Sequence, residues 1–245
     1  MSLIEPFYFG HSSKIFGVYH ASQSAPRRHA VVIAGPLLNE SMRAHYALRQ
    51  IAINLANAGF DVLRFDYEGM GNSHGSLLDI VPEDWTNNIS DAVKEISDIC
   101  GAKSVSIVAV RFAACLTGHV SDKFNIDNLI FWDPILTGEV WYELLRKSQS
   151  GLREKSSAAD VIGETEYMGH VLSRTFLEEV RSTGDPIIMA KTTLAVLTEG
   201  YGDHFDSVSN GVRRKDISYN CGWEDPSSRI LYPHDVIRII CDEMI

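Results

Sequence analysis

The feature that most constrains the fold is the alternation of short apolar runs with amphipathic helical patterns along the chain. The continuous apolar run at residues 30–34 (AVVIA) indicates a strand that is covered on both faces of a sheet, and residues 104–110 (SVSIVAV) indicate another buried strand. Between them Ala44, Leu48 and Ile51 recur at helical spacing. Because strands that alternate with helices form a mostly parallel sheet with helices on both faces, the sequence predicts an α/β domain.

The same patterns predict the other elements of the domain. Further strands are predicted at residues 5–9, 15–21, 60–65, 129–132, 194–197 and 217–219. Further helices are predicted at residues 82–100, 112–120, 205–212 and 232–245. Ser41 is a candidate cap for the first helix, Pro82 opens the second and Gly101 ends it. Two polar segments are interpreted as structural only: Asp133-Pro134 as a turn and residues 213–215 as a solvated helix end.

One stretch, residues 136–183, interrupts the alternation. It holds two helical patterns, at residues 140–152 and 172–181, and no strand pattern. It is too long for one crossover connection. We therefore predict a single domain over residues 1–245, with residues 135–185 inserted as a small helical lid over the ligand-binding edge of the sheet.

Charge and composition exclude several classes of function. The chain has 22 Lys and Arg against 32 Asp and Glu, a formal charge of −10, so it lacks the basic footprint that nucleic acids and anionic membranes need. No apolar run is long enough to cross a membrane and no signal peptide is evident. We expect a cytoplasmic protein with no nucleic-acid partner and no membrane insertion.

No metal or cofactor is expected either. The four cysteines are widely separated, and neither a Cys-x-x-Cys pair nor a Cys/His cluster has the spacing of a zinc site. No glycine-rich dinucleotide fingerprint opens a helix directly after the first buried strand.

Three polar or small-residue segments follow predicted strands, where the carboxyl ends of parallel strands meet at one edge. They are residues 35–40 (GPLLNE), residues 66–73 (DYEGMGNS) and residues 109–113 (AVRFA). This edge is therefore the candidate functional site.

In this order the three segments resemble the α/β-hydrolase superfamily, and the D-x-x-G-x-G-x-S stretch is the most specific of them. The resemblance implies an oxyanion hole at the first segment and a nucleophile elbow at the third. Residues 65–75, 108–112 and 132–138 (WDPILTG) also resemble the hydrolase-like proteins associated with the bacterial exosortase system. That narrower resemblance implies a bacterial protein with a role near envelope polysaccharide export.

The elbow departs from the superfamily pattern. The pattern is G-x-S-x-G, whereas this chain has Ala109, Arg111 and Ala113 at the three defining positions. A guanidinium stays protonated and has no lone pair, so Arg111 is neither a nucleophile nor a base. Loss of a triad nucleophile costs about a millionfold in turnover, which makes the usual acyl-enzyme route unfavourable here. Pro36 also lacks the N–H that an oxyanion hole needs.

The other triad positions have weaker candidates. In the superfamily the acid follows the strand at residues 194–197, where Glu199 and Asp203 are available. The histidine follows the last strand, where His234 is available; His204 is the spare candidate, but it lies before that strand. The place of His234 at the start of the closing helix is equally typical of a residue with no catalytic role.

Arg111 at a helix start needs a nearby anion, because the helix dipole and burial both disfavour an unpaired cation there. One interpretation pairs it with Glu40, with Glu199 or Asp203 behind; the other makes the anion a carboxylate or phosphate ligand held by the guanidinium and the helix N–H groups. The predicted ligand-binding residues are Leu37, Asn39, Glu40, Arg111 and Phe112.

Three functions remain open on the sequence alone. The first is a hydrolase-fold protein that binds a small anionic or acyl-bearing ligand. The second is an active hydrolase or acyltransferase on an ester or thioester in envelope polysaccharide metabolism, with His234 and Glu199 or Asp203 activating water and Arg111 holding the substrate's acid group. The third is an interaction protein with a sealed pocket.

Overall fold

The computed structural model describes residues 4–153, 164–167, 169–184, 188–202, 205, 212–223 and 230–245. Its strands are β1 (Ile4–Phe9), β2 (Ile15–His20), β3 (His29–Ala34), β4 (Asp61–Phe65), β5 (Ser104–Val110), β6 (Ile126–Trp132), β7 (Glu164–Tyr167), β8 (His170–Ser173), β9 (Thr192–Thr198) and β10 (Arg213–Ile217). Its helices are α1 (Asn39–Asn57), α2 (Pro82–Cys100), α3 (Ala113–Ser121), α4 (Gly138–Arg153), α5 (Arg174–Ser182) and α6 (His234–Asp242).

Eight of the described strands form one sheet in the order β1-β2-β4-β3-β5-β6-β9-β10. The β1–β2 and β2–β4 pairs are antiparallel and the other pairs are parallel, which confirms the predicted fold class. Ala34 pairs with Ala109, and Trp132 pairs with both Val110 and Val196. This register brings the carboxyl ends of β3, β5, β6 and β9 to the same edge of the sheet.

The core lies on both faces of this sheet. On one face Ile107 and Ala109 pack with residues of α2 and α3; on the other Val108 and Val110 pack with residues of α1 and α6. Successive residues of a strand point to opposite faces, so a strand covered on both sides has few positions that face water. This explains why residues 107–110 of β5 are all apolar and why the sequence predicts a strand there.

The predicted boundaries of α2 are confirmed. Pro82 occupies the first turn, and the side chain of Asp84 accepts a hydrogen bond from the N–H of Val81 at 2.9 Å. Gly101 ends the helix in the left-handed conformation, with φ of 58°.

The prediction of no strand between β6 and β9 is wrong. α4 is followed by the antiparallel pair β7–β8, and only then by α5. Ser173 caps α5 by accepting a hydrogen bond from Phe176 N–H at 3.1 Å, so Leu172 belongs to a strand rather than to the predicted helix at 172–181. Four-residue strands are too short to show a clear period, and Leu172 is buried in either conformation.

The prediction for the last strand is also wrong. It was placed at residues 217–219, with residues 213–215 as a helix end, but β10 spans Arg213–Ile217. β10 is an edge strand with exposed charged side chains, and Arg213 and Lys215 bind Glu243 at 2.8 and 2.5 Å. Edge strands carry such charges, so an apolar run does not identify them. Most of the predicted helix at 205–212 lies outside the described residues.

Candidate functional site

Arg111 lies at a sharp bend between β5 and α3. Its φ is 58°, a left-handed conformation that costs a non-glycine residue about 1–3 kcal/mol. Two backbone hydrogen bonds fix the bend: Arg111 N–H donates to the Trp132 carbonyl at 3.0 Å, and Ile135 N–H donates to the Arg111 carbonyl at 3.1 Å. Ala109 and Ala113 are fully buried beside it. The strand-to-helix turn predicted at residues 109–113 is therefore present, with arginine at its strained position.

The Arg111 side chain is almost completely buried, with 2% of its surface exposed. Its Nε donates a hydrogen bond to Glu40 Oε1 at 2.9 Å, and its Nη1 lies 3.4 Å from the Asp133 carbonyl oxygen. The guanidinium carbon also lies 4.8 Å from the centre of the Tyr201 ring and 5.4 Å from that of the Trp223 ring. The predicted Glu40 pair is confirmed, and it compensates a charge that burial alone would make costly.

The start of α1 positions Glu40. The helix begins at Asn39, so Glu40 lies in its first turn, where a carboxylate is favoured by the helix dipole. Leu38, just before the helix, has φ of 53°. The prediction that Ser41 caps this helix is wrong, because Ser41 is already inside it and its hydroxyl donates to the Leu38 carbonyl at 2.6 Å.

Asp133, interpreted from sequence as a turn residue, is a fully buried carboxylate at the end of β6. It accepts hydrogen bonds from the N–H and hydroxyl of Thr198 at 2.6 and 2.7 Å and from Trp223 Nε1 at 2.7 Å. Burial raises the pKa of Asp133, while these hydrogen bonds and the nearby Arg111 charge oppose the rise. Asp-Pro is typical of turns, so the sequence carried no signal for this network.

Trp223 is a further residue of the candidate site that the sequence did not indicate. It is buried in the loop after β10, and its backbone N–H donates to the Tyr201 hydroxyl at 2.8 Å. Arg43 of α1 holds the same loop by donating to the carbonyls of residues 221–223 at 2.6–3.0 Å. Trp223 thereby contacts both Arg111 and Asp133: its ring packs against the Arg111 guanidinium, and its indole N–H donates to the Asp133 carboxylate.

Two clefts border Arg111. The larger, about 340 Å³, is lined by residues that include Arg111, Lys147, Glu199, Tyr201 and Asn220. The smaller, about 40 Å³, lies between the start of α1 and α4. Of the predicted ligand-binding residues, it brings together Leu37, Asn39, Glu40 and Arg111.

Phe112, also predicted to bind ligand, faces the core with its side chain. The ring is fully buried and stacks on Trp141 of α4, with the ring centres 4.6 Å apart and the planes 7° from parallel. This contact joins α4 to the elbow. A role for Phe112 in ligand binding through its backbone N–H stays a prediction.

Of the predicted acid and base, Glu199 lies beside Arg111 and His234 does not. Glu199 follows β9, lines the larger cleft and accepts a hydrogen bond from Ser218 Oγ at 2.5 Å. His234 is exposed at the first position of α6 and packs edge-on against Tyr232 at 4.5 Å. It lines neither cleft beside Arg111. Asp203 lies outside the described residues.

Two further features concern the described part of the chain only. There, no three His, Cys, Asp or Glu side chains are grouped so that they would hold a metal ion. Among the described helices none has both the length and the apolarity needed to cross a bilayer.

Comparison with known proteins defines the fold. No protein-family model and no curated protein matches the chain. Among solved structures it is similar to Est1E from Butyrivibrio proteoclasticus, with a TM-score of 0.66, 12% identity and coverage of 98% of this chain and 97% of that one. It is also similar to mouse alpha/beta hydrolase domain-containing protein 10, with a TM-score of 0.62, 17% identity and 98% coverage of both chains.

A third similar structure is the thioesterase domain from the curacin biosynthetic pathway, with a TM-score of 0.62, 14% identity and 99% coverage of both chains. These neighbours and the strand order show that the protein has the α/β-hydrolase fold, as predicted. Identities this low establish the fold alone.

Proposed function

We propose that this protein binds a small anionic or acyl-bearing ligand beside Arg111 and does not carry out serine-type hydrolysis. The observation that carries the proposal is the arginine at the strained bend, held by Glu40 and by two aromatic rings. In this fold the bend presents the attacking hydroxyl. A guanidinium with no lone pair cannot replace it.

A second observation argues against triad chemistry. A triad needs an imidazole whose N–H is held by a carboxylate and whose other nitrogen accepts the proton. In this site the ring whose N–H meets a carboxylate is Trp223, on Asp133 at 2.7 Å. An indole has one N–H donor and no basic nitrogen. His234, the predicted base, is exposed beside Tyr232. Among the described residues, neither Arg111 at the bend nor Trp223 on Asp133 can serve as the nucleophile or the base of acyl transfer, which supports the proposal.

The larger cleft supports ligand binding. Its volume of about 340 Å³ falls within the range of small-molecule sites. Arg111 and Lys147 both line it, as do the Tyr201 ring and Asn220. Glu199 lines it as well, so two cations against one carboxylate, with an aromatic wall and an amide, favour a carboxylate or phosphate that carries a planar or acyl group.

The biological setting proposed here comes from the sequence resemblance. Residues 65–75, 108–112 and 132–138 resemble exosortase-associated proteins. We accordingly place the ligand among intermediates of bacterial envelope polysaccharide export, in the cytoplasm. An active ester or thioester hydrolase and an interaction protein with a sealed pocket are the alternatives that the following experiment separates.

The test combines a fluorophosphonate probe, p-nitrophenyl ester turnover, and thermal shift with a panel of small carboxylates and phosphates. We expect no labelling and no turnover by the wild type or by Arg111→Ser, and a rise in Tm with at least one anion. Turnover that disappears in His234→Ala overturns the proposal in favour of the hydrolase. Absence of any Tm shift across the panel overturns it in favour of the sealed pocket.

A further inference from the structure

A third cleft of about 420 Å³ shares no lining residue with the two clefts beside Arg111. It lies between the start of α1 and strands β2 and β4. Its polar lining includes Ser41 and His45 from α1 and Arg64 and Asp66 from the end of β4. The volume is in the range of small-molecule sites, and nothing in the site described above uses it.

The Arg64 guanidinium lines this cleft, with the carboxylate of Asp66 near it but in no direct ion pair with it. Its Nε donates to His20 Nε2 at 3.2 Å, and no carboxylate oxygen of the described residues lies within 4.0 Å of it. His20 is fully buried; burial and the charges of Arg64 and Arg49 lower its pKa to about 4, so it is neutral. Burial also lowers the pKa of Arg64, to about 10, which leaves it charged at neutral pH.

The charges that face the cleft fix the kind of anion it accepts. Asp66 contributes a carboxylate to the cleft lining, and this carboxylate already accepts a hydrogen bond from the backbone N–H of Asn72 at 2.9 Å. Arg49, exposed on α1, is close enough to affect the pKa values of Arg64, His20 and His45. Burial is the main cause that lowers the pKa of His45, which is therefore also neutral at neutral pH. Arg64 in the lining and Arg49 nearby on α1 outnumber the carboxylate of Asp66 by one charge, which matches a monoanion better than a polyphosphate.

The rim of the cleft is apolar. Met42, Tyr46 and Ile230 line it and are 67%, 52% and 64% exposed. Tyr232, whose ring lies 6.3 Å from that of Tyr46, extends the patch. Exposed apolar side chains grouped beside a cleft are typical of binding sites.

We propose that this cleft is a second ligand site, which binds a carboxylate joined to an aliphatic chain: Arg64 holds the carboxylate, and Met42, Tyr46 and Ile230 cover the chain. The guanidinium fork is suited to a carboxylate, and the neighbouring methionine adapts to chains of different shape. The site does not depend on the function proposed for Arg111.

Octanoate is the probe, and the full chain labelled with ¹³C at the methionine methyl groups reports on Met42. The Met42 methyl resonance is assigned as the one that is missing in Met42→Leu. Titration with octanoate is expected to shift this resonance, with saturation at millimolar octanoate. Acetate lacks the chain and 1-octanol lacks the charge, so both are expected to bind at least about tenfold more weakly. A wild-type Met42 resonance that stays unmoved, or that responds equally to 1-octanol, overturns the proposal.

Variants locate the binding. Arg64→Gln is expected to weaken octanoate binding at least about tenfold. Arg238→Gln makes the same change of charge at an exposed ion pair on α6 and is expected to leave it unchanged. Arg111→Gln is expected to leave the Met42 response unchanged as well. If it abolishes the response while Arg64→Gln does not, the octanoate site is at Arg111 and this proposal is wrong.

Discussion

Neutralising Glu40 tests the interpretation of the buried ion pair most directly. Glu40→Gln keeps the size of the side chain and an oxygen for Arg111 Nε, but removes the charge. A charge-assisted hydrogen bond contributes about 1.5–3 kcal/mol, and an unpaired buried charge costs about 3–5 kcal/mol. Glu40 is 18% exposed and the Tyr201 and Trp223 rings still face the guanidinium, so the lower part of this range applies. We expect a loss of about 2 kcal/mol.

For a chain of this size that loss lowers Tm by about 4–8 °C, and urea unfolding measures it directly. Arg111→Met completes a double-mutant cycle, because methionine fills the space without a charge. The double variant is expected to be more stable than Glu40→Gln alone, since it leaves no unpaired cation. A coupling energy below about 0.5 kcal/mol would refute the claim that Glu40 compensates Arg111.

Two further predictions concern other buried polar groups. Trp223→Phe keeps an aromatic ring beside Arg111 but removes one of the hydrogen bonds to Asp133, so urea unfolding should show a loss of about 1–2 kcal/mol; an unchanged midpoint would contradict it. The pKa of buried His20 is lowered to about 4, so the unfolded chain takes up a proton first and stability falls as pH drops from about 6.5 towards 4. This loss, on the order of 3 kcal/mol, should be absent in His20→Gln. It should be retained in His11→Gln, which removes an exposed histidine. If the free energy of unfolding falls equally with pH in the wild type and both variants, His20 is not its cause.

The centre of the sheet and the β1–β2 hairpin at one edge could be predicted from the sequence, whereas β10 at the other edge and the separate β7–β8 pair could not. Strand β5 is buried on both faces, so most of its positions are apolar and the strand is evident from composition. The edge strand β1 is evident because it is rich in aromatic residues. β10 is mostly charged, and β7 and β8 have four residues each, so neither composition nor period identifies them.

The candidate site also has features that the sequence predicts and one that it does not. The bend at Arg111 and the pairing with Glu40 follow from two short segments, each adjacent to a recognisable strand. The Asp133–Trp223 hydrogen bond joins residues 90 positions apart, and neither residue has a distinctive local pattern. Asp133 follows β6 and Trp223 lies in the loop after β10, so only the strand order β6-β9-β10 brings them together and no single segment could indicate the network.

The charged edge strand has a consequence for how the molecule meets other copies of itself. An open sheet edge is a template for pairing with another chain, and this sheet has two such edges. At one, β10 presents the exposed series Arg213, Arg214, Lys215 and Asp216; at the other, β1 includes Pro6, which has no N–H to donate. Both edges therefore resist strand addition, which disfavours pairing between copies of this chain by extension of the sheet.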